Sequence, residues 1–219
     1  MITIKDYNKE KEKISFVTDM SISLANAIRR SVLEIPVMAI DEVEIVKNDS
    51  ALYDEIIAHR LGLVPIKTDK NKEVKFKLVS KGPATVYSDE LVPSATSLKI
   101  PIVHLDKGQE VEMICNANLG KGIEHIKYSP GLVYYKHNLP ERILDFVVID
   151  DNGKVSFDEE EFKIKKLNED LIKEIKNTKD VKELEMSIES WGQIDVKDIF
   201  LKSIEVLDDN LKEVLKAVK

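Results

Sequence analysis

The sequence predicts an α+β fold in which one domain is interrupted by a mostly β insert. Three observations carry that expectation. Both ends of the chain mix the two-residue period of strands with the 3.6-residue period of helices. The middle breaks into short alternating runs separated by proline and glycine clusters, and it holds every proline except Pro36. The last segment returns to a long helical period. A chain of 219 residues with 43% hydrophobic and 33% charged side chains can form one large domain or two small ones around a real core.

Element by element, residues 1–5 and 13–18 alternate apolar and polar side chains and predict two strands joined by a Lys/Glu-rich turn. From residue 21 to 35 the period changes. Leu24, Ala25, Ile28, Val32 and Ile35 fall within one arc at about 100° per residue, and Pro36 ends the helix by excluding the helical region for the residue before it. Residues 37–46 alternate again. A short helix is expected at 54–61, and β-like runs at 74–79, 97–103, 110–116 and 144–149. Residues 157–178 are rich in Lys, Glu and Asp, with a weak helical pattern. Residues 183–190 read as a strand. Asp195, with Asp198 three residues on, caps a final helix.

Composition excludes several functions. Lysine and arginine number 33 against 40 acids, a net charge of −7, the wrong sign for a free-standing nucleic-acid binder. A single cysteine, Cys115, excludes an intramolecular disulfide and any cysteine-rich zinc or iron–sulfur site. No apolar run approaches the ~20 residues of a membrane span. The chain is charged from its first residues, unlike a signal peptide, so a cytoplasmic protein is expected. His59, His104 and His125 sit in separate segments with no metal-ligand spacing, which leaves a metal-dependent hydrolase without support. The Leu119-Gly120-Lys121-Gly122 run lacks the spacing and the Lys-Ser/Thr ending of a phosphate loop.

Two helical faces carry more apolar surface than one sheet needs. On the first helix, Ile22 and Leu33 share a flank with Arg29, leaving a narrow polar sector of Asn26, Arg30 and Glu34. Either the chain's own last helix or a partner covers that flank. On the last helix, Phe200, Ile204, Leu207, Leu211, Val214 and Val218 follow at spacings of 4, 3, 4, 3 and 4, the seam by which one helix lies along another.

Several motifs then resemble one family. Ser23-Leu24-Ala25-Asn26-Ala27-Ile28-Arg29-Arg30-Ser31-Val32-Leu33, followed by Ile35-Pro36-Val37-Met38-Ala39-Ile40, resembles the signature of the α-like subunits of multisubunit RNA polymerases. Ala58-His59-Arg60-Leu61-Gly62-Leu63-Val64-Pro65-Ile66 is a second match. Ala117-Asn118-Leu119-Gly120-Lys121-Gly122, with Glu124-His125, Lys127 and Ser129-Pro130, is a third. Glu189-Ser190-Trp191-Gly192 before the last helix is a fourth. In order and spacing the chain looks like an archaeal member, a counterpart of the third-largest subunit of eukaryotic polymerase II.

The resemblance implies a discontinuous α-subunit-type dimerisation domain (residues 1–47 plus 183–219), a β-rich insert (48–150), and a segment (151–182) standing where many relatives carry a ferredoxin-like module. It implies no chemistry of the chain's own. The expected role is a platform that pairs with the smaller polymerase subunit L and on which the large catalytic subunits assemble, with small subunits N and P nearby. Ile22, Arg29, Leu33, Phe200, Ile204, Leu207, Leu211, Val214 and Val218 would then meet subunit L. Arg30 corresponds to the family arginine that helps hold a large catalytic subunit, and His59, Arg60, Lys121, His125 and Lys127 are further candidates for large-subunit contact. Because residues 157–180 lack the thiolates an iron–sulfur cluster requires, no cofactor is expected.

Overall fold

The computed structural model describes residues 2–68, 73–150, 153–165, 167–178 and 180–218. It contains both helices and sheets, in an α+β arrangement, and the chain divides into two compact units, each built from two separate stretches: Met1–Arg29 with Val133–Ile188, and Arg30–Leu132 with Glu189–Lys219. The boundaries expected near residues 47, 150 and 183 divide the chain differently.

In the first unit, β1 (Ile2–Asn8) pairs antiparallel with β2 (Lys13–Thr18), the register slipping between Ile4 and Asp6. The first residue of the expected strand, Met1, lies outside the described residues. With β8 (Gly131–His137) and β11 (Leu184–Ser190) these strands form a sheet of order β1-β2-β11-β8. Alternation buries Ile14 and Phe16 on β2, and Leu184, Met186 and Ile188 on β11. Helix α1 (Ile22–Ser31) buries Ala25 and Ile28 but leaves Leu24 exposed. Leu24 was expected in the buried stripe; it lies at the margin of the arc and is exposed.

A small second core closes the first unit. Helices α3 (Glu141–Leu144), α4 (Glu159–Ile164) and α5 (Glu169–Asn177), with the two-residue strands β9 (Val148–Ile149) and β10 (Val155–Ser156), supply it. Ile143, Phe162 and Ile175 are buried there, and Phe157 stacks on Phe162 with ring centres 5.5 Å apart. The run at 144–149 was expected to be a strand. Its start is instead the end of α3, because Pro140 sets the helix entrance and an apolar run this short fits either element.

The second unit centres on an antiparallel sheet of order β3-β7-β4, in which β7 (Glu110–Gly120) lies between β3 (Val37–Asn48) and β4 (Glu73–Lys81). Val111, Met113, Cys115 and Ala117 of β7 point into the core at every second position. Helix α2 (Asp54–Gly62) packs on β3 and contributes Ile57 and Leu61. Strands β5 (Ala84–Tyr87) and β6 (Pro101–Leu105) form a separate antiparallel pair, so the run expected at 97–103 becomes a strand only from its proline onward. The unit ends in α6 (Val196–Ala217), whose N-cap Asp195 accepts a hydrogen bond from the Lys197 amide at 2.9 Å.

Candidate protein-docking surfaces

Helix α6 carries two apolar stripes side by side. Val196, Ile199 and Ser203 are buried, and Val206, Leu207 and Asn210 continue that line half-buried. This stripe packs on the 3-10 turn Val32–Glu34, where the Asn210 amide donates to Glu34 Oε2 at 3.1 Å. Beyond Asn210 every described side chain of the helix is exposed, and Leu211, Val214, Leu215 and Val218 lie between 56% and 82% open to solvent.

Of the expected seam, Ile204, Leu211, Val214 and Val218 are therefore exposed, whereas Phe200 and Leu207 are half-buried at the border between the two stripes. Leu201 and Leu215 are exposed apolar residues that a strict 4-3-4-3-4 count omits. Their apolar character was visible in the sequence; a wider helical arc would have included them.

On α1, Ile22 and Arg29 are half-buried, and the Arg29 guanidinium donates to Asn26 Oδ1 from Nε at 3.2 Å and from Nη2 at 2.8 Å. Arg30 is exposed and makes no hydrogen bond or ion pair with another described residue. Leu33, expected to face a partner, is partly covered by its own unit. The Ile123 amide donates to the Leu33 carbonyl at 3.1 Å, and a Cβ on Gly122 would stand 3.1 Å from Leu33, so only glycine allows this approach without displacement.

The loop after β7 is fastened at several points. Lys127 Nζ lies 2.6 Å from Asp41 Oδ1 and 5.1 Å from the centre of the Tyr128 ring, and its side chain is only 14% exposed. Asp41 also accepts from Tyr128 and Asn118. Chiefly through the Lys127 hydrogen bond, these donors hold its carboxyl below the usual carboxylate range. Burial, with the Asp41 charge added, pushes the Tyr128 hydroxyl up to about 12, so it stays protonated and able to donate. The Tyr128 ring lies flat on the strand end, where a Cβ on Gly120 would come 2.6 Å from it. Gln193 Nε2 donates to the Lys127 carbonyl at 3.2 Å and the Trp191 amide to the Pro130 carbonyl at 3.1 Å. The Glu-Ser-Trp-Gly turn and the glycine loop, read as separate motifs, thus form one structure.

This rearranges the expected contact residues. Lys127 is committed to Asp41. His125 is exposed and its Nδ1 accepts from the Lys127 amide at 3.2 Å; Lys121 is half-buried, and its amide donates to Glu124 Oε2. On α2, His59 and Arg60 are both exposed, but Arg60 Nη2 donates to the Pro101 carbonyl at 3.0 Å and so helps hold β6. Among the described residues no group of three or more His, Cys, Asp or Glu side chains gathers where it could hold a metal ion, and no helix is long and apolar enough to cross a membrane. Cys115 is buried in β7, and burial pushes its thiol up to about 11.

Sequence comparison identifies the class of protein. A family model described as the RNA polymerase Rpb3/Rpb11 dimerisation domain matches residues 16–211, and the chain belongs to this family. Among its relatives, DNA-directed RNA polymerase subunit Rpo3 of Methanocaldococcus jannaschii is 41% identical over 156 residues, covering 67% of this chain and 82% of that protein. Rpo3 of Natronomonas pharaonis is 30% identical over 237 residues, covering 95% and 94%. Rpo3 of Pyrococcus horikoshii is 41% identical over 155 residues, or 63% of this chain, and the match spans 60% of the Pyrococcus protein's length.

Proposed function

We propose that this chain is a non-catalytic D-type assembly subunit of a multisubunit DNA-dependent RNA polymerase. It forms a heterodimer with the smaller subunit L and starts the docking of the large catalytic subunits, with subunits N and P alongside. The observation that carries this reading is the end of α6, where Leu211, Val214, Leu215 and Val218 stand exposed on a helix whose other stripe is already packed. Burying one such side chain contributes roughly 1.5–3 kcal/mol, so a helix laid along this face would be held firmly. Ile22 and Arg29 of α1, with Leu33 of the 3-10 turn that follows it, are assigned to the same partner. Membership of a dimerisation-domain family supports the pairing, and the Rpo3 relatives support the polymerase context.

Arg30 is the proposed contact to a large subunit: an exposed guanidinium with no acidic partner among the described residues, free to pair with a carboxylate in a bidentate fork. His59, Lys121 and His125 are assigned secondary parts on the large-subunit side, and Arg60 and Lys127 act there by holding the chain's own backbone and side chains. The family domain division, with residues 1–47 and 183–219 forming the dimerisation domain around the 48–150 insert, belongs to the same proposal. So does the cluster-free segment 151–182, since its packed apolar core contains no cysteine. No cofactor and a cytoplasmic location complete it. Affinity purification of the tagged chain from its native cell, followed by mass spectrometry, tests the reading. Subunits L, N and P and the large catalytic subunits are expected to accompany it; recovery of the chain alone, or only with copies of itself, would overturn it.

A further inference from the structure

We propose that the edge strand β1 carries, on Ile2, Ile4 and Tyr7, a second docking surface for subunit L, and that the helix of L equivalent to α6 lies across it. This rests on reading the chain as the partner of L. To the open end of α6 it adds a surface of the opposite kind, a sheet face without a helix. In the β1–β2 ladder Ile2 stands opposite Thr18, Ile4 opposite Phe16 and Tyr7 opposite Ile14, and residues directly opposite in an antiparallel pair share one face. Burial changes abruptly across that ladder. Thr18, Phe16 and Ile14 are 3%, 2% and 7% exposed, whereas Ile2, Ile4 and Tyr7 are 53%, 59% and 37% exposed. The core face of the sheet therefore continues one strand beyond its own cover.

An irregularity keeps this face apolar. Strict alternation from Ile2 and Ile4 would bring Asp6 to the same side. The register slip between Ile4 and Asp6 sets Asp6 opposite Ser15 instead, and Tyr7 takes the place beside Ile14. Lys5, at the slip, is held by Glu185, its Nζ 2.9 Å from Oε2. A lone exposed isoleucine is ordinary, but an uncharged strip continuous with a buried sheet face is the kind of surface that a packed helix covers.

The occupant follows from what the chain leaves uncovered. The end of α6 carries an exposed apolar stripe, Leu211, Val214, Leu215 and Val218. The family model treats Rpb3 and Rpb11 as one type of dimerisation domain, so under the proposed function L is a domain of the same build with a last helix of its own. Two like domains related by a twofold axis present the same patches to each other, and what one gives it also receives. With one open helix end and one open strand face on each partner, the match of unlike surfaces lays each last helix on the other's β1.

The test uses the full chain and purified subunit L. Dissociation constants are measured for Ile4→Asp, for Ile4→Val and for Thr3→Asp, which puts the same charge on the opposite face of the strand. Ile4→Asp is expected to weaken binding about tenfold or more, because it buries an unpaired charge. Ile4→Val and Thr3→Asp are expected to bind as the parent does, and the melting temperature of the isolated chain to stay unchanged. An Ile4→Cys chain is also mixed with L carrying single cysteines placed in turn along its last helix. Mild oxidation is expected to join the two, which requires Cα atoms within about 7 Å. If Ile4→Asp binds L as the parent does, the inference fails while the pairing with L stands. If Ile4→Asp weakens binding but no cysteine of that helix cross-links, the occupant is wrong and the inference fails again. If the parent chain does not bind L, the reading beneath it fails as well.

Discussion

Asp41 accepts from Lys127, Tyr128 and Asn118, and through them it fixes the loop that follows β7. Its carboxyl titrates below the ordinary range in the folded chain, so the stabilisation is full above about pH 4 and disappears as acid protonates it. Asp41 keeps 42% of its side chain exposed, and solvent screening limits the pair to about 0.5–1 kcal/mol. Asp41→Asn is therefore expected to lower stability by about that amount in denaturant titrations from pH 5 to 8, the gap closing below about pH 4; a gap independent of pH would contradict the ion pair. The sequence showed Lys127 as a cation near other cations and suggested an outward contact. It could not show that Asp41, 86 residues away, lies beside it, because only the β3–β7 pairing brings them together. The glycines were similarly half-legible: Gly120 and Gly122 marked a loop, but the close approaches they permit, to Tyr128 and Leu33, exist only in the fold.

Among the elements, α6 was the most legible, because a long helix advertises its faces through spacing alone. Its cap at Asp195 and most of its exposed seam stand where the pattern put them. What spacing could not separate was the stripe packed within the unit from the stripe left open, since both are apolar and adjacent; Phe200 and Leu207 sit on the border. That distinction decides the choice of variant. Leu207→Asp would disturb the chain's own packing as well as a partner, whereas Val214 and Leu215 are exposed. Val214→Asp with Leu215→Asp is expected to leave the melting temperature of the isolated chain unchanged and to abolish co-purification with subunit L, because an unpaired charge would be buried in the seam. Retained pairing would remove α6 from the interface. Short runs were least legible: residues 144–149 alternate like a strand, yet Ile143 and Leu144 close a helix next to Pro140.

For the whole molecule, texture reports turns rather than pairing, and the change of texture near residue 47 falls at the end of β3. Residues 37–47, assigned to the terminal domain, form β3, and its ladder partner β7 comes from the middle segment. The compact units therefore begin at Arg30 and Glu189 rather than at the texture changes. The motifs were legible because each holds its neighbours at a fixed spacing; that the turn at 189–192 meets the loop after β7 was not. Under the proposed reading the molecule carries an uncovered helix end that a different, smaller protein covers. Light scattering on the chain mixed with purified subunit L tests this most directly. The account predicts a single species with the mass of one copy of each, and hydrogen exchange slowed across residues 211–218. A monomer that ignores subunit L and exchanges unchanged there would contradict it.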